Sequence, residues 1–237
     1  MRLSLRNLKT FSKCPAAYCF SLNEDAPLVT EQERIISKVI SKAVLQIMET
    51  TYRIDWRGIV GWVDKEIFNE VDVYCKEQYT AAKKNSEHIL VALAVWYNKV
   101  YLEWDTEAFV DVPLGVETSG IFVQGVASVI SLSDPVVCVH IGKDLYETKK
   151  EYTRDIEVRG LAWLASERLN CSEITMQCLS LGKRGRMDVN AIRFDAGSLE
   201  RTAAYIDNMC KIIKKKYFYP SISHQCISCK YYNKCNL

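Results

Sequence analysis

Cys226-Ile-Ser-Cys229-Lys-Tyr-Tyr-Asn-Lys-Cys235 sets three cysteines at C-x2-C-x5-C spacing within ten residues. Three thiols this close, in a chain whose opening residues do not read as a secretory leader, point to metal ligation before disulfides. Free thiols oxidise, whereas a metal or cluster takes up thiolate charge and ties weak segments together. Three ligands do not close a tetrahedral zinc site or a four-iron cluster, so a fourth is expected from elsewhere. Cys14, followed by Pro15 in a helical context, is the best candidate, with Cys19 in reserve. Spacing does not separate zinc from an iron–sulfur cluster, because both accept four cysteines.

Working outward, the chain has 237 residues, 49% hydrophobic and 25% charged, the composition of a globular protein with a real core. It has no apolar run long enough to span a membrane. The first residues, MRLSLRNLKTFSK, are too polar for a signal peptide, so a cytoplasmic location is expected. The net charge of +2 says little about partners, and any nucleic-acid surface must come from local clustering. The other cysteines (Cys19, Cys75, Cys138, Cys171, Cys178 and Cys210) read as small buried apolar residues.

Residues 4–20 read as a short helix. Ile35, Ile36, Val39, Ile40, Val44 and Ile47 give helical spacing across residues 31–54, and another helical region covers 63–104 with a polar break at 83–86. Strand patterns follow at 107–112, 121–130 and 136–141, with a glycine-containing turn at 115–120 and a second turn at 131–135. A helix at 155–169, strands at 173–181 and 189–194, and a helix at 198–216 complete the pattern, while 143–154 reads as a solvated loop. Helix, meander, helix and strand in this order describe an α/β core with a helical insertion ahead of it. The expected organisation is one domain: ends 1–30 and 217–237, a helical lobe 31–104 and a core 105–216. Two domains meeting near Glu107 are the alternative.

The N-terminal L-x-x-F-x-x-C-P-x-x-Y (Leu8, Phe11, Cys14, Pro15, Tyr18) and the C-terminal C-x2-C-x-Y-x3-C (Cys226, Cys229, Tyr231, Cys235) together resemble one group. That group is the iron–sulfur nucleases of the PD-(D/E)XK superfamily, of the RecB and AddB type and the related CRISPR-adaptation nucleases. The resemblance implies a restriction-endonuclease-like mixed sheet and a [4Fe-4S] cluster on Cys14, Cys226, Cys229 and Cys235. It also implies a Gly-x-x-Asp strand, an acid-x-Lys strand and a Gln-x-x-x-Tyr helix. In such a site two acids hold magnesium or manganese, and the lysine offsets developing charge.

This chain departs from that pattern. Gly125-Val126-Ala127-Ser128 puts a serine at the aspartate position, and residues 136–143 contain no acid-x-Lys, with His140 nearest the acidic position. Glu157 and Leu161 stand where Gln and Tyr are expected, and the early-helix histidine is missing from residues 37–43. One rescue exists: Asp134 with Glu147 and Lys149 as an acid-x-Lys. Glu107 and Asp111 read either as further acids near the site or as solvated strand positions.

The expectation is a nuclease fold without nuclease chemistry, serving as a DNA-binding or protein-interaction module beside a helicase, polymerase or other nucleic-acid-processing protein. An active metal-dependent DNA exonuclease and a redox-sensing iron–sulfur protein are the alternatives. Candidate phosphate contacts are Lys183, Arg184 and Arg186 in a basic turn, and Lys214 and Lys215 at a helix end, where the macrodipole also favours cations. Tyr217, Phe218, Tyr219, Tyr231 and Tyr232 either stack on bases or pack around the cysteines.

Overall fold

A computed structural model describes residues 1–22, 56–70, 80, 83–84, 107–141, 149–181, 187–223, 226–227, 229 and 231–235. The elements are β1 (Arg2–Ser4), α1 (Leu5–Lys13), α2 (Pro15–Leu22), α3 (Trp56–Glu70), β2 (Ala108–Thr118), β3 (Ile121–Ser131) and β4 (Val136–Ile141). After them come α4 (Lys149–Arg154), α5 (Ile156–Leu169), β5 (Ile174–Leu181), β6 (Met187–Phe194), α6 (Ala196–Lys214) and a 3-10 turn at Tyr232–Lys234.

The expected single helix at 4–20 is two helices preceded by a strand. A residue before proline is pushed out of the α region, and Cys14 is extended (φ −159, ψ 109) while Pro15 opens α2. Ser4 caps α1: its hydroxyl accepts from the Asn7 N–H at 3.1 Å, while the Asn7 side chain accepts from the Ser4 N–H at 3.0 Å. Glycine 115, expected in a turn, lies inside β2. A Cβ there would overlap the Phe122 ring of the neighbouring strand, so the absent side chain makes room for an aromatic. The turn itself is only Ser119 (φ 49) and Gly120 (φ 73), both left-handed, as a tight hairpin requires. Part of the expected loop at 143–154 is the helix α4. The helix expected at 31–54 lies outside the described residues. In the next helical region α3 starts at Trp56 rather than 63, and Lys83 and Lys84, assigned to a break, are helical.

The sheet is mixed and six-stranded. β2–β3–β4 is an antiparallel meander; β5 is parallel to β4, and β6 is antiparallel to β5. β1 pairs parallel with Phe122–Gln124 of β3, whereas β4 pairs with residues 129–131 of the same β3 edge. Between them, residues 125–128 have no strand on that edge among the described pairings.

Helix α5 lies across the sheet and is buried nearly all round, from Ile156 to Ser166, because α1 and α6 cover its outer side. Asp155 caps it, accepting from the Glu157 and Val158 N–H groups, and Asn170 ends it in a left-handed conformation. Leu5 of α1 presses between the glycines of two elements: its methyl carbons would meet a Cβ at Gly160 on α5 and one at Gly125 on β3. The N-terminal helix is thus keyed into the core, which fixes Cys14 at its end.

Candidate metal centre

Two local devices bring the chain ends together. The Ala16 N–H of α2 donates to the Tyr219 carbonyl at 3.1 Å, and the Ser221 N–H points at Cys14 Sγ at 3.5 Å. Aromatic packing supports these bonds: Tyr18, fully buried, contacts Phe11 edge-on (5.6 Å) and Phe218 (5.9 Å), and Phe20 contacts Tyr231 (5.6 Å). The tail after Pro220 is short turns held by their own backbone, with Cys229 N–H donating to the Cys226 carbonyl and Tyr232 N–H to the Cys229 carbonyl.

The result is one open cavity of about 300 Å³, mouth included, whose lining contains Cys14, Cys226, Cys229 and Cys235 with Ala17, Phe20 and Tyr231. All four thiols are half-buried. Burial, and then the neighbouring thiols of Cys14, Cys226 and Cys229, push the Cys235 thiol above its ordinary pKa. A further backbone donor, the Ser223 N–H, faces Cys226 Sγ at 3.4 Å. Donors of this kind stabilise thiolate, and no side-chain pattern in the sequence could have announced them. Cys19, the reserve candidate, is outside the cavity lining. Cys138, Cys178 and Cys210 are buried as expected, with burial raising the first two thiols to about 12 and the third to about 11.

No group of three or more His, Cys, Asp or Glu side chains among the described residues forms a ready single-ion site. Four thiols around a shared cavity and the absence of a compact site are compatible facts. A zinc ion with 2.3 Å bonds to four sulfurs needs them only about 3.8 Å apart, whereas a cluster gives each thiolate its own iron and a wider spacing.

The structure also places most of the residues considered for a nuclease-type site. The β2–β3 ladder pairs every residue of β2 except Asp111, which is left-handed (φ 49), opposite Ser128. Ser128 and His140 each lie one residue beyond the last β3–β4 pair, Val129 with Val139. Ser128, His140 and exposed Asp111 therefore occupy one row of the sheet where its strands part.

The motif-equivalent residues on α5 have structural work. Leu161 is buried against the place of Gly125, and Glu157 pairs with Lys9 at 2.8 Å. Asp134 is exposed in the turn before Pro135, Glu147 lies outside the described residues, and Lys149 begins α4. Of the cationic candidates, Lys183, Arg184 and Arg186 lie outside the described residues. Lys214 is exposed and donates to the Ser119 carbonyl at 3.3 Å, and Lys215 is exposed at the end of α6.

The mixed α/β structure, with its mixed sheet and a helix across it, is consistent with a nuclease-like fold. A crystal structure from Eubacterium rectale described as a "putative exonuclease" is similar to it, at TM-score 0.54 and 15% identity over 97% of this chain and 87% of that one. The crystal structure of SSO0001 aligns at TM-score 0.40 and 12% identity over 86% of this chain and 97% of that one, and carries no argument. No family model matches the sequence, and no curated protein matches it. No described helix is long and apolar enough to cross a membrane.

Proposed function

We propose that this chain is a PD-(D/E)XK-type, RecB/AddB-like protein whose ends are closed by a [4Fe-4S] cluster on Cys14, Cys226, Cys229 and Cys235. In this reading it is a non-catalytic DNA-binding module of a nucleic-acid-processing assembly. The observation that carries it is the shared cavity lined by four cysteines drawn from opposite ends of the sequence. The donor set is all thiol, soft enough for an iron–sulfur cluster, and the backbone N–H groups facing Cys14 and Cys226 suit sulfur that bears charge. The cluster's contribution is cross-linking; a redox role has no supporting feature here.

Support for the non-catalytic half is the chemistry of the row where the strands part. Serine and histidine replace the two acids that would bind magnesium or manganese, and the helix positions are committed to packing and an ion pair. Asp111 is the one carboxylate in that row, and a single carboxylate binds a divalent ion weakly.

The test is the metal content and absorption spectrum of anaerobically purified protein, followed on the same sample by a nuclease assay on linear DNA with manganese. About four irons per chain, no zinc and no cleavage are expected. Stoichiometric zinc would remove the cluster assignment. Cleavage abolished by Asp134→Ala or Glu147→Ala would remove the non-catalytic one.

A further inference from the structure

Charge in this chain is strongly segregated. Residues 208–237 contain six lysines and no aspartate or glutamate, which leaves the first 207 residues with 25 basic against 29 acidic groups. A nearly neutral protein thus carries its whole positive excess on the segment that closes the cysteine cavity.

The structure also sorts the aromatics of this segment. Phe218 turns inward onto Tyr18 and Tyr231 is buried against Phe20, so these two rings pack. Tyr217, Tyr219 and Tyr232 turn outward, 62%, 57% and 54% exposed. Tyr219 is anchored through its carbonyl to Ala16, and Tyr232 lies on the cavity rim, so the backbone is held while the rings face solvent. Lys215, Lys216 and Lys234 are exposed in the same segment. Held rings with free faces, interleaved with cations and without acids, match what unpaired bases and their phosphates require: stacking planes along a positive track.

We infer that Tyr217, Tyr219 and Tyr232, with Lys215, Lys216 and Lys234, form a stacking platform for single-stranded nucleic acid beside the cysteine cavity. This deepens the DNA-binding reading above and rests on it for the ordered tail. A duplex hides its base faces, so the platform discriminates against it. An anionic membrane also attracts aromatic and basic residues, and Ile222 and Ile227 are exposed nearby. Interfacial binders, however, present such residues along one face of an amphipathic helix. Here they come from irregular chain and a three-residue 3-10 turn.

Fluorescence anisotropy with a labelled 20-residue oligothymidylate, the matching duplex and phosphatidylserine vesicles as competitor tests this on the intact protein. The single strand is expected to bind at least tenfold more tightly than the duplex. The combined Tyr217→Ala, Tyr219→Ala and Tyr232→Ala variant should lose at least tenfold affinity with an unchanged salt slope, while the three Tyr→Phe changes retain it. Lys215→Gln with Lys216→Gln should instead flatten the slope of log affinity against log salt by about 1.4. Equal duplex binding, an alanine variant that binds like the parent, or displacement of the strand by vesicles would overturn the inference. Iron content and the manganese assay on the same sample report on the proposed function separately, so a failed platform and a failed cluster are told apart.

Discussion

Replacing Cys14 with alanine isolates the closure of the chain. Cys14 and Cys226 bound a segment of roughly 210 residues, and the cross-link relation for a loop of that size gives about 5 kcal/mol of lost unfolded-state entropy at 25 °C. Domains of ordinary stability have about 5–15 kcal/mol in total, so the cluster would supply between a third and all of it. The assay is urea unfolding under anaerobic conditions, followed by tyrosine and tryptophan fluorescence, for parent, Cys14→Ala and chelated parent. The variant and the chelated parent should unfold at similar, much lower midpoints. Their m-values should be larger than the parent's, because an uncrosslinked unfolded chain exposes more surface. Cys19→Ala is the control: it sits five residues along but outside the cavity lining, and its midpoint should fall by far less. A Cys14→Ala protein that keeps its iron and its midpoint would refute the reasoning, because position 14 would then not be a ligand.

Lys9→Met should cost about 2–3 kcal/mol in urea unfolding. It removes the ammonium at 2.8 Å from both Glu157 and nearly buried Asp155, and so takes the ion-pair partner from a carboxylate with little access to water; a midpoint shift under 0.5 kcal/mol would show that the pairs are idle. Asp207 on α6 accepts from the Thr118 and Ser119 hydroxyls of the β2–β3 turn at 2.6 and 2.5 Å and pairs with Lys211 at 2.6 Å. These bonds, the one from Lys211 first, hold its carboxyl well below the ordinary range. A depressed carboxylate stabilises the fold above its unfolded value near 4 and loses that contribution as pH falls below it. Asp207→Asn should therefore lower stability by roughly 1–2 kcal/mol at pH 7 and flatten the decline of the parent below pH 4. An unchanged acid limb in thermal melts would contradict the latch.

Periodicity made the large elements legible because their patterns are long. The second and third strands of the meander, α5 and α6 lie within a few residues of their expected bounds, whereas the first strand runs six residues past its expected end. What escaped was short or depended on neighbours. β1 has three residues, too few for alternation to register, and exists because β3 offers an edge beside it. Gly115 read as a turn because glycine usually punctuates, and only the Phe122 ring across the ladder explains it as a strand residue. The break at Cys14 was foreshadowed by Pro15, yet its consequence, a thiol set between two helices and aimed at a tail more than 200 residues away, is a tertiary fact. The C-x2-C-x5-C spacing stands out in the sequence because thiol spacing is a chemical constraint that needs no periodicity, and the cavity shared with Cys14 is what the fold adds. The aromatics were not: Tyr217-Phe218-Tyr219 contains no sign of which ring turns inward, since that is decided by Tyr18 on α2.

The row of Asp111, Ser128 and His140 bears on the proposal of a nuclease-like fold without nuclease chemistry. Two carboxylates held together where strands part repel, and each resists the loss of water, so such a pair strains the fold unless a cation sits between. Ser128 places no charge in this row, where β3 and β4 part beyond the Val129–Val139 pair. The distortion of the ladder nevertheless persists at Asp111, whose left-handed backbone costs about 1–2 kcal/mol in a residue other than glycine. A left-handed residue inside a strand persists only where the surrounding structure holds it. On the neighbouring strand β3, Leu5 and Leu161 pack over Gly125, three residues from Ser128. The Leu5 wedge of α1, the helix that ends at Cys14, thus packs on the same strand that carries Ser128.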